Sequence, residues 1–208
     1  MSSKGSLVVV SGFSGVGKGT VMNNLVQRYD QYALSVSATT RQPREGETDG
    51  KEYFFRTEKE FTDMIAAGDL IEYACYCDNY YGTPRKFVEK QLDEGKDVVL
   101  EIEIQGARKI KKQYPDAVLI FVMPPSVEEM KERLSKRGTE TASVIRDRIR
   151  RAAREADGIE DYDYIVINDD VDVCVEQMHQ LIQSTKLRTR VNKEFIAEIR
   201  KQVKEAAK

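Results

Sequence analysis

Apolar positions along this chain change their period several times, and each change marks an element. Leu7-Val8-Val9-Val10, Val98-Val99-Leu100 and Val118-Leu119-Ile120-Phe121-Val122 are continuous apolar runs of strand length. Such runs mark strands covered on both faces. Tyr164 to Ile167 is a last apolar strand, and Ala33 to Ser37 a short second one. Helical spacing appears in Val21, Met22, Leu25 and Val26, which predicts a helix from near Lys18 to near Tyr29. Ala107 to Tyr114 forms a crossover helix, and Asn168-Asp169-Asp170 opens a helix running to about Thr185. Strands alternating with helices imply an α/β fold on a parallel sheet.

Two stretches interrupt the alternation. From Thr39 to Lys90 the pattern is mixed. A polar loop punctuated by Pro43, Gly46 and Gly50 leads to a strand over Tyr53 to Phe55, then to a helix entered through Thr57 and Glu60, a capping box, ahead of Phe61, Met64 and Ile65. Gly68 ends that helix, Leu70 to Tyr76 is a strand, Asn79 to Thr83 a turn, and Pro84 to Glu94 a helix stopped by Gly95. From Glu128 to Asp157 the chain is helical and rich in arginine, with Arg133, Arg137, Arg146, Arg148, Arg150, Arg151 and Arg154. Most of those charges fit a solvated face balanced by Glu128, Glu129, Glu132 and Asp147. Both interruptions follow strand ends, where open α/β sheets bind ligands.

The first apolar run delivers the chain to Ser11-Gly12-Phe13-Ser14-Gly15-Val16-Gly17-Lys18-Gly19-Thr20. Glycines let backbone N–H groups curl around an anion, and a helix starting near Lys18 points its positive end at the same place. Lys18 adds a mobile charge that can follow a β/γ-phosphate. The pattern asks for Ser or Thr directly after the lysine, but Gly19 stands before Thr20, so a magnesium contact through Thr20 is either direct or through water.

With 208 residues, 40% of them hydrophobic and 33% charged, the chain can bury a sizeable core beneath a polar surface. A net charge of −2 speaks against bulk attraction to nucleic acid or membrane. Met1 to Ser6 is polar and no apolar run approaches the ~20 residues of a spanning helix, so a cytoplasmic protein is expected. Three cysteines, Cys75, Cys77 and Cys174, cannot make a disulfide framework, and without a second pair Cys75-x-Cys77 lacks the ligands of a tetrahedral metal site. His179, the only histidine, lies in a helical pattern and is expected at the surface or its boundary.

Several motifs together carry a family resemblance. The run Thr39-Thr40-Arg41-x-x-Arg44-x-x-Glu47-x-x-Gly50-x-x-Tyr53-x-Phe55 resembles the signature of guanylate kinases. Tyr80-Tyr81-Gly82-Thr83, Glu101-Ile102-Glu103-Ile104-Gln105-Gly106, Pro124-Pro125-Ser126, Arg137-Gly138-Thr139-Glu140-Thr141 and Ile167-Asn168-Asp169-Asp170 extend the likeness from about Ser6 to about Thr185. It implies a three-layer P-loop core with a five-stranded parallel sheet (residues 1–37, 91–127 and 158–208), a mixed α/β GMP-binding insertion (38–90) and a helical lid (128–157). The implied reaction is ATP + GMP ⇌ ADP + GDP with Mg²⁺.

By that likeness, Gly12 to Thr20 and Asn168 bind ATP, Asn168 near the adenine, and Thr20 serves the metal. Arg41 and Arg44, with the hydroxyls of Tyr53 and Tyr81, hold the acceptor phosphate, and Ser37, Glu72 and Thr83, together with Glu101 and Glu103, complete the GMP site. Lys18, Arg41, Arg137 and Arg148 are the implied catalytic residues, with Arg133 a further lid arginine. Read by its strand alone, Glu72 is the solvent-facing member of Ile71-Glu72-Tyr73. Two features depart from the family: Glu103 replaces a shorter aspartate, and Phe13 stands where proline is common. A catalytically inactive relative that binds phosphorylated partners is the alternative, and intact Lys18 and lid arginines favour the enzyme. After Leu187 a helical extension with Phe195, Ile196, Ile199 and Val203 is expected to pack on the core or a partner, a nucleic-acid arm being the other reading. The sequence leaves monomer and homo-oligomer open.

Overall fold

The structure, a computed structural model, describes residues 4–76, 78–136 and 142–208. In chain order its elements are β1 (Leu7–Gly12), α1 (Lys18–Arg28), β2 (Tyr32–Leu34), β3 (Ala38–Thr39), β4 (Phe54–Phe55), α2 (Glu58–Ala67), β5 (Leu70–Tyr76), β6 (Asn79–Pro84), α3 (Arg85–Asp93), β7 (Asp97–Glu101), α4 (Ile104–Gln113), β8 (Val118–Met123), α5 (Val127–Lys136), α6 (Ala142–Ala156), β9 (Tyr164–Ile167), α7 (Val171–Thr185) and α8 (Lys193–Ala206). Five strands form a parallel sheet in the order β2-β7-β1-β8-β9. Alternation along β1 divides the core: Val8 and Val10 pack with Val21, Met22 and Leu25 of α1 and Val175 and Met178 of α7, and Val9 packs with Val88 of α3 and Ala107 and Ile110 of α4. Both faces of the sheet are therefore covered, which is why its strands lack polar alternation.

A second sheet, β4-β3-β6-β5, mixes one parallel pair with two antiparallel ones and lies wholly within residues 38–84. Phe61 of α2 closes its small core with Ala38 and Leu70. The capping box that opens α2 is present, with Glu60 N donating to Thr57 Oγ1 (3.2 Å) and Thr57 N to Glu60 Oε2 (2.7 Å).

Several boundaries differ from expectation, each for a local reason. The second strand is Tyr32–Leu34 rather than Ala33–Ser37, because the chain leaves the parallel sheet after Ser35 N bonds Val99 O and enters the mixed sheet at Ala38. Asn79 to Thr83 is a strand rather than a turn, paired on both sides by β3 and β5. The crossover helix begins at Ile104, because the Glu103 carboxylate caps it by accepting from Gln105 N (2.9 Å) and Gly106 N (2.7 Å). Asp170, accepting from Val173 N, caps α7, and Asn168 stays buried behind it. The C-terminal helix forms, but Phe195, Ile199 and Val203 are 50%, 42% and 62% exposed, so this face does not pack on the core. Asn192 and Arg190 tie its start down instead, through the Lys186 and Arg188 carbonyls and Asp116. No described helix is long and apolar enough to cross a bilayer.

Candidate active site

The phosphate loop hangs between two buried anchors. Phe13 meets Phe121 edge to face (5.1 Å between centroids) and Val16 is fully buried. Both side chains thus face the core, and only their backbone groups are available to an anion. Gly17 adopts φ +86°, and a Cβ there would lie 2.7 Å from Asn168 Nδ2. Glycine at this position allows Asn168, 2% exposed, to approach from beneath and donate to Val16 O (2.7 Å). The Lys18 ammonium lies over the loop, donating to Gly12 O (2.7 Å) and Phe13 O (3.2 Å). Thr20 stands exposed in the first turn of α1. At the end of β7, the Glu101 carboxylate comes within 3.9 Å of where a Cβ on Gly19 would sit.

Arginines of the second interruption close over this loop. Arg148 of α6 donates to Ser14 Oγ (2.9 Å), joining the helix directly to the cradle. Arg133 of α5 donates to Glu129 (2.9 Å) and to Asn168 O (2.7 Å), so it braces the turn after β9. Arg137 lies outside the described residues, as does the Gly138-to-Thr141 segment of its motif. Glu155 of α6 is half-buried, which raises its carboxyl above the usual range; Lys18 and Arg151 pull it back down and Glu103 adds to the rise.

Across the site, the mixed sheet presents a second cationic group. Thr39 Oγ1 donates to Tyr80 O (2.9 Å) and accepts from Arg41 N (3.1 Å), while Thr40 Oγ1 accepts from Tyr80 N (2.9 Å). These two threonines pin the polar loop to β6. Glu47 then holds the Arg41 side chain and the Arg44 main chain: its Oε1 accepts from Arg41 Nη2 (2.9 Å) and its Oε2 from Arg44 N (2.7 Å). The hydrogen bond from Arg41 holds the Glu47 carboxyl below the ordinary carboxylate range. The Arg41 guanidinium also lies 5.2 Å from the Tyr53 ring centroid, and Tyr53 meets Tyr81 edge to face at 5.9 Å. Burial raises the Tyr53 hydroxyl, and the charge of Glu101 adds to that rise.

Glu72 is 5% exposed, which overturns its reading as a solvent-facing strand residue. Its Oε1 accepts from Thr83 Oγ1 (2.7 Å), and its Oε2 lies only 2.6 Å from where a Cβ on Gly106 would be. Burial pushes its carboxyl up to about 7, with Glu103 raising it further and Thr83 and Lys109 opposing the rise. Ser37 is half-buried at the entry to the mixed sheet, where its carbonyl accepts from Phe54 N (2.9 Å).

The structure thus groups the sequence-predicted residues in two clusters, Gly12 to Thr20 with Arg148 and Asn168, and Arg41 with Arg44, Tyr53 and Tyr81, with Glu101 between them. Sequence reasoning gave Glu47 no role, although its spacing of three from Arg44 is a local signal for a side chain turning back onto its own loop. Cys75 is exposed and unpaired, Cys77 lies outside the described residues, and His179 sits at the boundary stacked on Tyr29 (3.8 Å).

A family model described as guanylate kinase matches residues 4–185. The chain is 49% identical over 199 residues to a guanylate kinase of Caldanaerobacter subterraneus subsp. tengcongensis, covering 96% of this chain and 97% of the relative. It is 48% identical over 188 residues to a guanylate kinase of Lactococcus lactis subsp. lactis, covering 90% and 92%. Among solved structures, that of guanylate kinase from Anaplasma phagocytophilum superimposes with a TM-score of 0.75 at 33% identity, covering 91% of this chain and 90% of that one. With the glycine-rich loop, Arg41 and Arg44 gathered around Glu47, and this likeness over nearly its whole length, the chain belongs to the guanylate kinase family.

Proposed function

We propose a division of labour for the family reaction, ATP + GMP ⇌ ADP + GDP, in which the phosphate loop with the lid holds the donor and the mixed sheet holds the acceptor. Glu101 carries this reading, because its carboxylate sits beside the first turn of α1 and its charge also reaches Tyr53 in the acceptor cluster. A phosphoryl group passing between ATP and GMP would cross that point. The insertion over 38–90 and the lid over 128–157 would close on the core once both nucleotides are bound, keeping water from the transferring group.

Phosphoryl transfer needs alignment and charge neutralisation more than covalent chemistry. The acceptor phosphate needs no general base, since with a second pKa of about 6 it is already largely ionised at neutral pH. Its oxygen forms the new bond to the γ-phosphorus while the bond to the β-phosphate oxygen breaks. Arg41 and Arg44 supply guanidinium donors for the acceptor oxygens, with Tyr53 and Tyr81 adding hydroxyls. Lys18 leaves the Gly12 and Phe13 carbonyls for the β/γ-phosphates, and Arg148, with Arg137, neutralises charge on the transferring group. Asn168 acts on the donor through the loop it supports.

The oxygen donors near the loop fit a hard cation: the Thr20 hydroxyl and the Glu101 carboxylate would supply the one or two protein ligands Mg²⁺ usually takes beside phosphate and water. Bound there, Mg²⁺ would neutralise charge on the phosphate oxygens. Glu72 and Thr83, with Ser37 and Glu103, face the guanine. Guanine offers two donors, N1–H and N2–H, which an ionised carboxylate accepts together, whereas adenine sets a lone pair at N1 against it. The reducing cytoplasm is the proposed setting, supported by the exposed, unpaired Cys75.

An assay of ADP formation with GMP, AMP, UMP and CMP as acceptors tests the assignment. GMP should be preferred over AMP by at least about two orders of magnitude, because a buried unpaired charged group costs about 3 kcal/mol. Comparable turnover with AMP would overturn it.

A further inference from the structure

One stripe of α4 grips the strand that carries Glu72. β5 is an edge strand of the mixed sheet, so its outward carbonyls lack a ladder partner. A register irregularity between Leu70 and Glu72 kinks the strand just where Glu72 turns inward. On either side of Glu72, α4 supplies the missing donors: Gln113 Nε2 donates to Ile71 O (2.9 Å) and Lys109 Nζ to Tyr73 O. The Lys109 ammonium also lies 4.7 Å from the Tyr73 ring centroid. Gly106, Lys109 and Gln113 stand at i, i+3 and i+7, on one face of the helix. At the top of that stripe Gly106 has no side chain, which lets the Glu72 carboxylate come against the helix backbone.

We propose that the Gly106–Lys109–Gln113 stripe sets the depth of Glu72 in the guanine pocket, and that Lys109 is a positioning residue for acceptor recognition. This inference rests on the reading of Glu72 as the guanine-binding carboxylate. Lys109 never meets the reacting atoms. It acts by holding the Tyr73 carbonyl and through its charge.

The charged and polar groups around Glu72 are in keeping with that role. Thr83 on β6 donates to it, Glu103 at the cap of α4 repels it, and Lys109 attracts it. With burial holding the carboxyl up to about 7, loss of the Lys109 charge leaves more of it protonated at neutral pH. A protonated carboxyl keeps one acceptor oxygen and presents a proton to guanine's N–H edge, so GMP binding weakens. The donor site shares none of these contacts.

Initial-rate kinetics over about pH 6 to 9 on four full-length proteins, the parent, Lys109→Met, Lys109→Arg and Glu72→Gln, test this directly. Lys109→Met should raise the GMP KM about three- to tenfold at neutral pH with kcat and the ATP KM within about twofold, and should move the acid limb of kcat/KM for GMP to higher pH. Lys109→Arg should restore most of both effects. Glu72→Gln should remove the part of the limb near pH 7 and leave only the lower part, which the acceptor phosphate with its second pKa of about 6 contributes in every variant. A Lys109→Met profile that superimposes on the parent while Glu72→Gln has lost the limb near pH 7 overturns the positioning role alone. A limb near pH 7 that persists in Glu72→Gln overturns the guanine assignment, and the inference falls with it. A melting curve of Lys109→Met close to the parent's excludes general damage as the source of the KM change.

Discussion

At the proposed donor end, the groups around the loop are main-chain N–H donors, Lys18 and Arg148, the loop being fixed because Phe13 and Val16 are buried in the core and Asn168 closes it from below. At the proposed acceptor end they are side chains held by other side chains: Arg41 by Glu47 and Tyr53, Glu72 by Thr83, and the whole polar loop by Thr39 and Thr40. The difference follows from what each end must distinguish. A triphosphate tail is met by any preorganised array of donors. In the proposed pocket guanine is told from adenine by its edge, which would take placed side chains and cost buried charge.

The sharpest way to break this contrast is to remove the lysine that belongs to the loop itself. Lys18→Ala should lower kcat by about three orders of magnitude, comparable to losing a fixed transition-state donor, with little change in melting temperature. Near-normal turnover in a stopped assay would refute the role. At the acceptor end the same kind of cut should appear in KM. Glu72→Ala should raise the GMP KM about a hundredfold and narrow the preference over AMP, leaving the ATP KM nearly unchanged. An unaltered acceptor preference would remove Glu72 from the pocket.

The cost of that buried carboxylate sets a third expectation, on stability. Because the folded protein raises Glu72 from an ordinary 4.5 to about 7, its contribution to stability is fully present below about 4.5 and lost as pH climbs through 7. In nucleotide-free protein, Glu72→Gln should therefore gain on the parent by about 2–3 kcal/mol between pH 5 and pH 8 in urea titrations. A constant gap across that range would contradict the buried, ionising group. The smallest effect belongs to Glu47, which touches substrate only through its arginines. Glu47→Gln should raise the GMP KM about tenfold with kcat nearly preserved. A kcat loss as large as that of Lys18→Ala would place Glu47 in the chemistry itself.

How much of this was legible in the sequence depends on whether the information was local. The apolar runs at Val8–Val10, Val98–Leu100 and Val118–Val122 became buried strands, because a strand covered on both faces needs no partner-specific pattern. The capping box at Thr57 and Glu60 formed as written. Asn79–Pro84 escaped notice because Tyr80, Tyr81, Gly82 and Thr83 carry no apolar alternation; Gly82 is there so that Leu70 and Phe61 can pack over it. For Glu72 the strand pattern pointed outward, and only a helix thirty residues later in the chain, meeting β5 at Gly106, turns that face into an interior. The family signature singled out Arg41 and Arg44 but said nothing of how Glu47 holds their loop.

The pairing of β1 has a bearing on how the chain is made. Leu7 meets Val98 and Val8 meets Val118, so the central strand has no sheet neighbour until about half the chain has left the ribosome. The mixed sheet, by contrast, draws all four of its strands from residues 38–84. Closing short loops costs less entropy than closing long ones, so the acceptor unit is expected to gain structure during synthesis while β1 still waits. Protease challenge of ribosome-arrested chains of increasing length would check this order, with protection of the 38–84 region expected before that of β1. Protection of β1 first would contradict it. Such an order would leave one apolar strand exposed while about the first half of the chain emerges, a burden for chaperones that the finished enzyme no longer shows.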